Sequence, residues 1–118
     1  MSHICWMLEM DVQEGQENNF RTLIAEMVRA TRANESGTLD YEWSISPDGK
    51  RCHSFERYVD DAAVLTHLGT FGDKFASHFL ETFTPVKLVV YGSPSDAVRS
   101  ALAGFNPVYM QPVEGFSR

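Results

Sequence analysis

NESGTLDYEWSISPDGKRCHSFERY, residues 34 to 58, reads as a turn, a strand, a tight reversal and a second strand. Gly37 lets the backbone leave a preceding helix through a conformation that a side chain resists. From Leu39 the apolar residues alternate as Leu39, Tyr41, Trp43 and Ile45, with Asp40, Glu42 and Ser44 between them, the period of a half-buried strand. Pro47-Asp48-Gly49 supplies the reversal: proline sets the first turn residue, aspartate bonds locally, and glycine takes the left-handed position. Arg51 to Tyr58 returns as the partner strand. With Ser46 and Lys50 flanking a three-residue loop, Trp43 faces His53 and Tyr41 faces Phe55. Glu42, Ser54, Glu56 and Tyr58 then take the other side of the sheet.

Outward from this hairpin, His3 to Val12 is a strand with Ile4, Trp6, Leu8 and Met10 on one side and Cys5, Met7 and Glu9 on the other. Glu14 to Ala33 is a helix whose apolar stripe is Phe20, Leu23, Ile24, Met27, Val28 and Thr31. Glu17, Arg21, Arg29 and Arg32 read as its solvated face. Beyond the hairpin, Asp60 caps a short helix, Ala62 to Leu68, with Asp61 in its first turn. Gly69 interrupts it, and Thr70 caps a continuation to Phe83 lined by Phe71, Phe75, His78, Phe79 and Phe83. Pro85 to Tyr91 is a β-branched strand. Ser93-Pro94 opens a last helix with Val98 and Leu102 buried, stopped by Gly104.

The order β-α-β-β-α-β predicts an α+β, ferredoxin-like split β-α-β fold: a four-stranded antiparallel sheet, order 4-1-3-2, with helices on one face. Residues 1–104 form the domain, and 105–118 an extended C-terminal tail. That tail keeps Val108, Met110, Val113 and Phe116, so it is expected to pack on a partner subunit or flank the mouth of a pocket. Cys5 and Cys52 begin neighbouring antiparallel strands and so lie at opposite ends, too far apart for a disulfide.

At 118 residues, with 43% hydrophobic and 22% charged content, the chain suits one globular domain. A net charge of −6 with no basic stripe argues against nucleic-acid and anionic-membrane partners. No apolar run reaches membrane-spanning length and no signal segment opens the chain, so the expected location is cytoplasmic. Neither cysteine has metal-binding spacing.

The helix ending MVRATRANESGTLDYEW, the hairpin ending SFERYVDDAAVLTHL and the run FGDKFASHF together resemble the antibiotic biosynthesis monooxygenase (ABM) domain family. The resemblance covers roughly residues 3 to 92. Its most specific pieces are Glu35-x-Gly37-x-Leu39-x-Tyr41, Glu56-x-Tyr58 and His67. It implies a dimeric α+β barrel, in which the sheets of two subunits pack face to face. It also implies a cofactor-independent monooxygenase that oxidises a quinol or polycyclic aromatic phenol with molecular oxygen, using no metal. The alternative is a non-catalytic dimeric module that binds a small aromatic molecule. A haem-degrading branch fits less well. Where that branch has an asparagine and a tryptophan, this chain has Met7 and His67, and only His78 matches a haem ligand.

Oxygen chemistry without a cofactor needs a base, an apolar slot for a flat ring, and donors for an oxyanion. His67 titrates nearest neutrality and is the preferred base, with Glu56 and Tyr41 as catalytic partners. Trp43, Tyr58, Phe71, Phe75, His78 and Phe79 are the substrate-binding candidates. The site is expected where the helix breaks at Gly69. Plainer roles stand beside these: His67 bonding a carbonyl, Glu56 bonding a backbone amide or tyrosine, and the aromatic residues as core. A pocket-edge His67 predicts that His67→Ala costs turnover but little stability.

Overall fold

The computed structural model describes residues 3–118. Strand β1 (Ile4–Val12) leads to helix α1 (Phe20–Asn34), hairpin strands β2 (Thr38–Ile45) and β3 (Arg51–Tyr58), and helices α2 (Asp61–Lys74) and α3 (Ala76–Thr82). Strand β4 (Phe83–Tyr91), helix α4 (Asp96–Leu102), a 3-10 turn at 103–105 and strand β5 (Val108–Met110) follow. The sheet order is β2-β3-β1-β4-β5. Its first four strands are the expected ferredoxin-like set. The fifth comes from the tail, which returns over α4 and pairs with β4 in parallel. The sheet is therefore five-stranded and open, where four strands were expected.

Alternation decides what each face carries. Ile4, Trp6, Leu8 and Met10 of β1 are all buried toward the helices, with Leu88 and Val90 beside them. Leu23 and Met27 of α1, Val64 of α2, Phe79 of α3, and Val98 and Leu102 of α4 close over them. This single layer of helices supplies most of the apolar burial that stabilises the domain.

The hairpin register differs from the sequence expectation by one residue. Ser46 N–H donates to Arg51 O, which makes a four-residue loop, with Gly49 left-handed at φ +75°. The Asp48 carboxylate accepts from Ser46 Oγ and Lys50 N–H, so Lys50 is drawn into the turn instead of the ladder. Tyr41 is consequently paired with Glu56 and Trp43 with Ser54, while Phe55 faces Glu42. The shift brings Tyr41, Trp43, Ser54, Glu56 and Tyr58 to the same side, facing the helices.

Three helix expectations are also corrected. α1 starts at Phe20, because Gly15 adopts φ +90° and the segment before Phe20 has no apolar face to bury. α2 runs unbroken through Gly69 and ends at Phe75. A glycine inside a helix costs only about 1 kcal/mol, which burial of Val64 and His67 on one side outweighs. The last helix is capped by Ser95, whose hydroxyl accepts from Val98 N–H, not by Ser93. The Asp60 cap is as expected, accepting from Ala63 N–H.

Gly37 has a role other than a positive φ. A Cβ there would lie 2.6 Å from Ala63 Cβ of α2 and 3.4 Å from Val59 Cγ1. It lets α2 approach the end of α1, and that close approach builds the site.

Candidate active site

A row of residues crosses the helix face of the sheet: Tyr41 of β2, Glu56 of β3, Trp6 of β1 and Val90 of β4. One step along the strands lie Trp43, Ser54, Leu8 and Leu88. α2 lowers His67 onto this surface, and Glu35, the residue that ends α1, reaches it from the side.

His67 stands between two carboxylates. Its Nδ1 is 2.7 Å from Glu35 Oε1, and its Nε2 is 3.4 Å from Glu56 Oε1. The three residues are 6%, 7% and 5% exposed, in the order His67, Glu35 and Glu56. A neutral imidazole has one N–H and would turn a lone pair toward one of these anions. Only the imidazolium donates to both. Burial pushes the His67 pKa down, but the hydrogen bonds and charges of Glu35 and Glu56 outweigh it and raise it to about 9. The rings of Tyr41 and Tyr58 each lie 5.3 Å from the imidazole, the first edge-on and the second tilted.

Glu56 is held from three directions. Tyr58 Oη–H donates to Oε1 at 2.6 Å and Ser54 Oγ–H to Oε2 at 2.7 Å, beside the His67 contact. Burial alone would raise its pKa. These donors and the His67 charge overcome that, and the carboxyl stays below the usual carboxylate range. Burial first, and then the Glu56 charge, push the phenols of Tyr41 and Tyr58 well up, so both remain proton donors. Glu35 also accepts from Thr38 Oγ1–H at 3.0 Å, which leaves its contact with His67 Nδ1 the shorter and firmer one.

Of these groups Tyr41, Glu56 and His67 border a cavity of about 40 Å³, walled by Trp6, Leu8, Trp43, Phe71, Phe79 and Phe105 among others. It has room for a few waters or a diatomic molecule. An aromatic ring enters only if the half-buried outer wall, Leu68, Phe71 and Phe105, moves aside. The indole N–H of Trp43 is buried without a hydrogen-bond partner.

Of the residues expected from sequence, His67, Glu56, Tyr41, Trp43, Phe71 and Phe79 meet at this cavity, and Tyr58 lies behind Glu56. Phe75, half-buried at the α2–α3 junction, and the exposed His78 do not line it. Met7 is on the opposite face of the sheet, so neither Met7 nor His78 is placed for haem at this cavity. His67 is a buried ion-paired residue, not a group at the edge of a helix break. That removes the ground for expecting its loss to cost little stability.

Sequence reasoning missed Glu35 and Ser54. Glu35 is the residue after the apolar stripe of α1, and its acid at a helix end where a base is preferred was a visible signal. Ser54 was legible too, since it lies two residues before Glu56 on the same strand and so on the same face. Among the described residues no group of three His, Cys, Asp or Glu side chains is placed to hold a metal, since Glu35 and Glu56 lie on opposite nitrogens of His67.

Residues 4–84, more than half of the chain, match the family model described as antibiotic biosynthesis monooxygenase. Among solved structures, MupZ from Pseudomonas fluorescens is similar over 100% of this chain and 96% of its own, at 25% identity and a TM-score of 0.87. Rv0793 from Mycobacterium tuberculosis is 26% identical, covering 81% of this chain and 99% of its own with a TM-score of 0.68. The N63A mutant of SnoaB, a cofactor-independent oxygenase from Streptomyces nogalater, shares the fold at 14% identity, with 80% and 96% covered and a TM-score of 0.66. No curated protein matches the chain by sequence.

Proposed function

The chain belongs to the antibiotic biosynthesis monooxygenase family, and from that premise we propose that it oxidises a quinol or polycyclic aromatic phenol with molecular oxygen, as a cofactor-independent homodimer. The observation that carries this reading is His67, held as a cation between Glu35 and Glu56 beside an apolar cavity. The shared fold of SnoaB adds support at the level of fold.

In this reading the resting roles differ from those expected from sequence. His67 begins loaded with a proton and acts as the acid, and Glu56, the carboxylate on the cavity wall, takes the substrate proton. The resulting electron-rich anion passes an electron to dioxygen, which the adjacent imidazolium favours by stabilising the superoxide charge. Recombination forms a carbon–oxygen bond and a peroxide. Glu56 returns its proton to the peroxide, giving a hydroperoxide, and, again a carboxylate, takes the hydrogen left on that carbon as the O–O bond breaks, with His67 protonating the departing hydroxide. One oxygen atom stays on carbon and the other leaves as water with the substrate's two hydrogens. Glu56 and His67 exchange the protons that reset the pair. The unpartnered Trp43 N–H is a donor for the substrate oxygen, and Tyr41 covers the imidazole.

Support for the homodimer lies on the open face of the sheet. Phe55, Met7, Val89 and Val108 form a continuous apolar row there, with Cys5, Tyr91 and Met110 beside it. Phe55, Tyr91, Val108 and Met110 are exposed. Packing this face on its copy would cover them and form the barrel.

An oxygen electrode with a panel of hydroquinones and anthrones tests the proposal. Uptake that falls roughly a hundredfold or more in His67→Gln, the scale of a positioned acid or base, is expected. A second reading, a dimeric module that binds a small aromatic molecule without turnover, is favoured by the burial of His67 and Glu56 with hydrogen-bond partners already in place, as in a structural ion pair. Ring binding by calorimetry with no oxygen uptake from any substrate would select it.

A further inference from the structure

A second and much larger cavity lies away from His67. It is a groove of about 640 Å³ between α1 and the edge strand β2, with Phe20, Ile24, Val28, Trp43 and Ile45 on its apolar surface. Volumes of this size, roughly 300 to 1,000 Å³, are typical of small-molecule sites. Arg21, Arg29 and Arg32, which read from sequence as a solvated face, line it, and no carboxylate does. None of the three arginines has an acidic partner among the described residues, whereas Arg51 and Arg57 are paired with Glu9, Asp11 and Asp40. In a chain of net charge −6, three arginines along one apolar groove with no carboxylate in its lining form a local concentration of positive charge.

We propose that this groove binds an amphipathic organic monocarboxylate, with its carboxylate between Arg29 and Arg32 and its apolar chain running along α1 toward Phe20. Charge complementarity supports the head position: the two guanidinium groups are three residues apart on the helix and so are neighbours, and an anion between them relieves their repulsion. The length fits as well, since residues 21 to 32 span about 16 Å at 1.5 Å per residue, the reach of an extended chain of about twelve carbons. Trp43 lines both this groove and the inner cavity, so a bound chain rests against the wall of the His67 site. The proposal stands on these observations and does not depend on the oxygenase reading.

Calorimetric titration of the full chain with decanoate, decanol and acetate tests it. Decanoate is expected to bind saturably at one molecule per chain, with decanol and acetate each at least tenfold weaker. The double variant Arg29→Gln/Arg32→Gln should weaken decanoate tenfold or more and leave decanol unchanged. Both arginines are exposed, so it should fold, and an unchanged melting temperature verifies that. Ile24→Trp, which fills the groove, should abolish binding of decanoate while His67-dependent properties persist. Equal affinity for decanoate and decanol, or decanoate affinity unaffected by the double variant, overturns the proposal. So does loss of a dimer in the double variant by light scattering, which would make the groove an interface between copies.

Discussion

His67 links stability to pH in a direction that can be worked out. Its ordinary pKa of 6.5 is raised to about 9 in the fold. The folded state therefore holds the proton more tightly, and the stabilisation is complete below about pH 6.5 and lost as pH rises through about 9. The shift corresponds to on the order of 3 kcal/mol. Glu56 works in the other sense: its lowered pKa gives stability that is present above its ordinary 4.5 and lost as pH falls further. Urea unfolding should show a plateau between about pH 4.5 and 6.5, with an alkaline decline that His67→Gln removes. At pH 6 that substitution should cost about 3 to 5 kcal/mol, because it leaves two buried carboxylates without their cation. A variant as stable as wild type at pH 6 would contradict the ion-paired assignment. Any turnover that uses His67 as an acid should fall as pH rises through about 9.

At the scale of elements, the contact between the end of α1 and the start of α2 sets the site. Gly37→Ala places a Cβ 2.6 Å from Ala63 Cβ, a carbon fixed to the helix backbone, so α2 must move away. A loss of roughly 1 to 3 kcal/mol is expected. The same displacement lengthens the Glu35–His67 contact, and the His67 pKa measured by NMR titration should drop toward its ordinary value. An unchanged pKa would show that the spacing does not depend on Gly37. The tail divides in the same way. Phe105 lines the inner cavity, and Tyr109 of β5 lies under the Arg99 guanidinium at 4.1 Å from its ring centroid. By contrast, Val113 is 98% exposed and Phe116 79%. Removing residues 111–118 should leave the melting temperature of the fold within a few degrees of wild type. Removing 105–118 should lower it and open the cavity, as seen by a rise in binding of an apolar dye.

For the whole molecule, the sheet has one covered face and one uncovered face with an apolar row. Phe55 lies at the β3 end of that row, opposite Met7. Phe55→Glu should convert the proposed dimer to a folded monomer, because the helix-side core does not include Phe55. Light scattering with circular dichroism checks both halves of that outcome. A wild-type chain that is monomeric at micromolar concentration would remove the basis for the barrel.

Order and type of elements were legible in the chain because each rests on local periodicity. Alternation marks Ile4 to Met10 and Leu39 to Ile45, three-four spacing marks Phe20 to Thr31, and Asp60 acts as a cap wherever a helix follows it. His67, Glu56, Tyr41 and Trp43 were also legible as candidates, being polar or aromatic groups embedded in apolar patterns. Their union was not. Whether Tyr41 and Glu56 share a face depends on one residue of loop length, decided by the hydrogen bonds of Asp48 and the pairing of Ser46 with Arg51. The charge of His67 depends on Glu35, which is 32 residues away in sequence and 2.7 Å away in space. Likewise the arginines of α1 show the same helical spacing whether they border water or a groove. Local spacing specifies which side chains share an element, but the partner, the burial and therefore the protonation state of a group are set by elements brought together from distant parts of the chain.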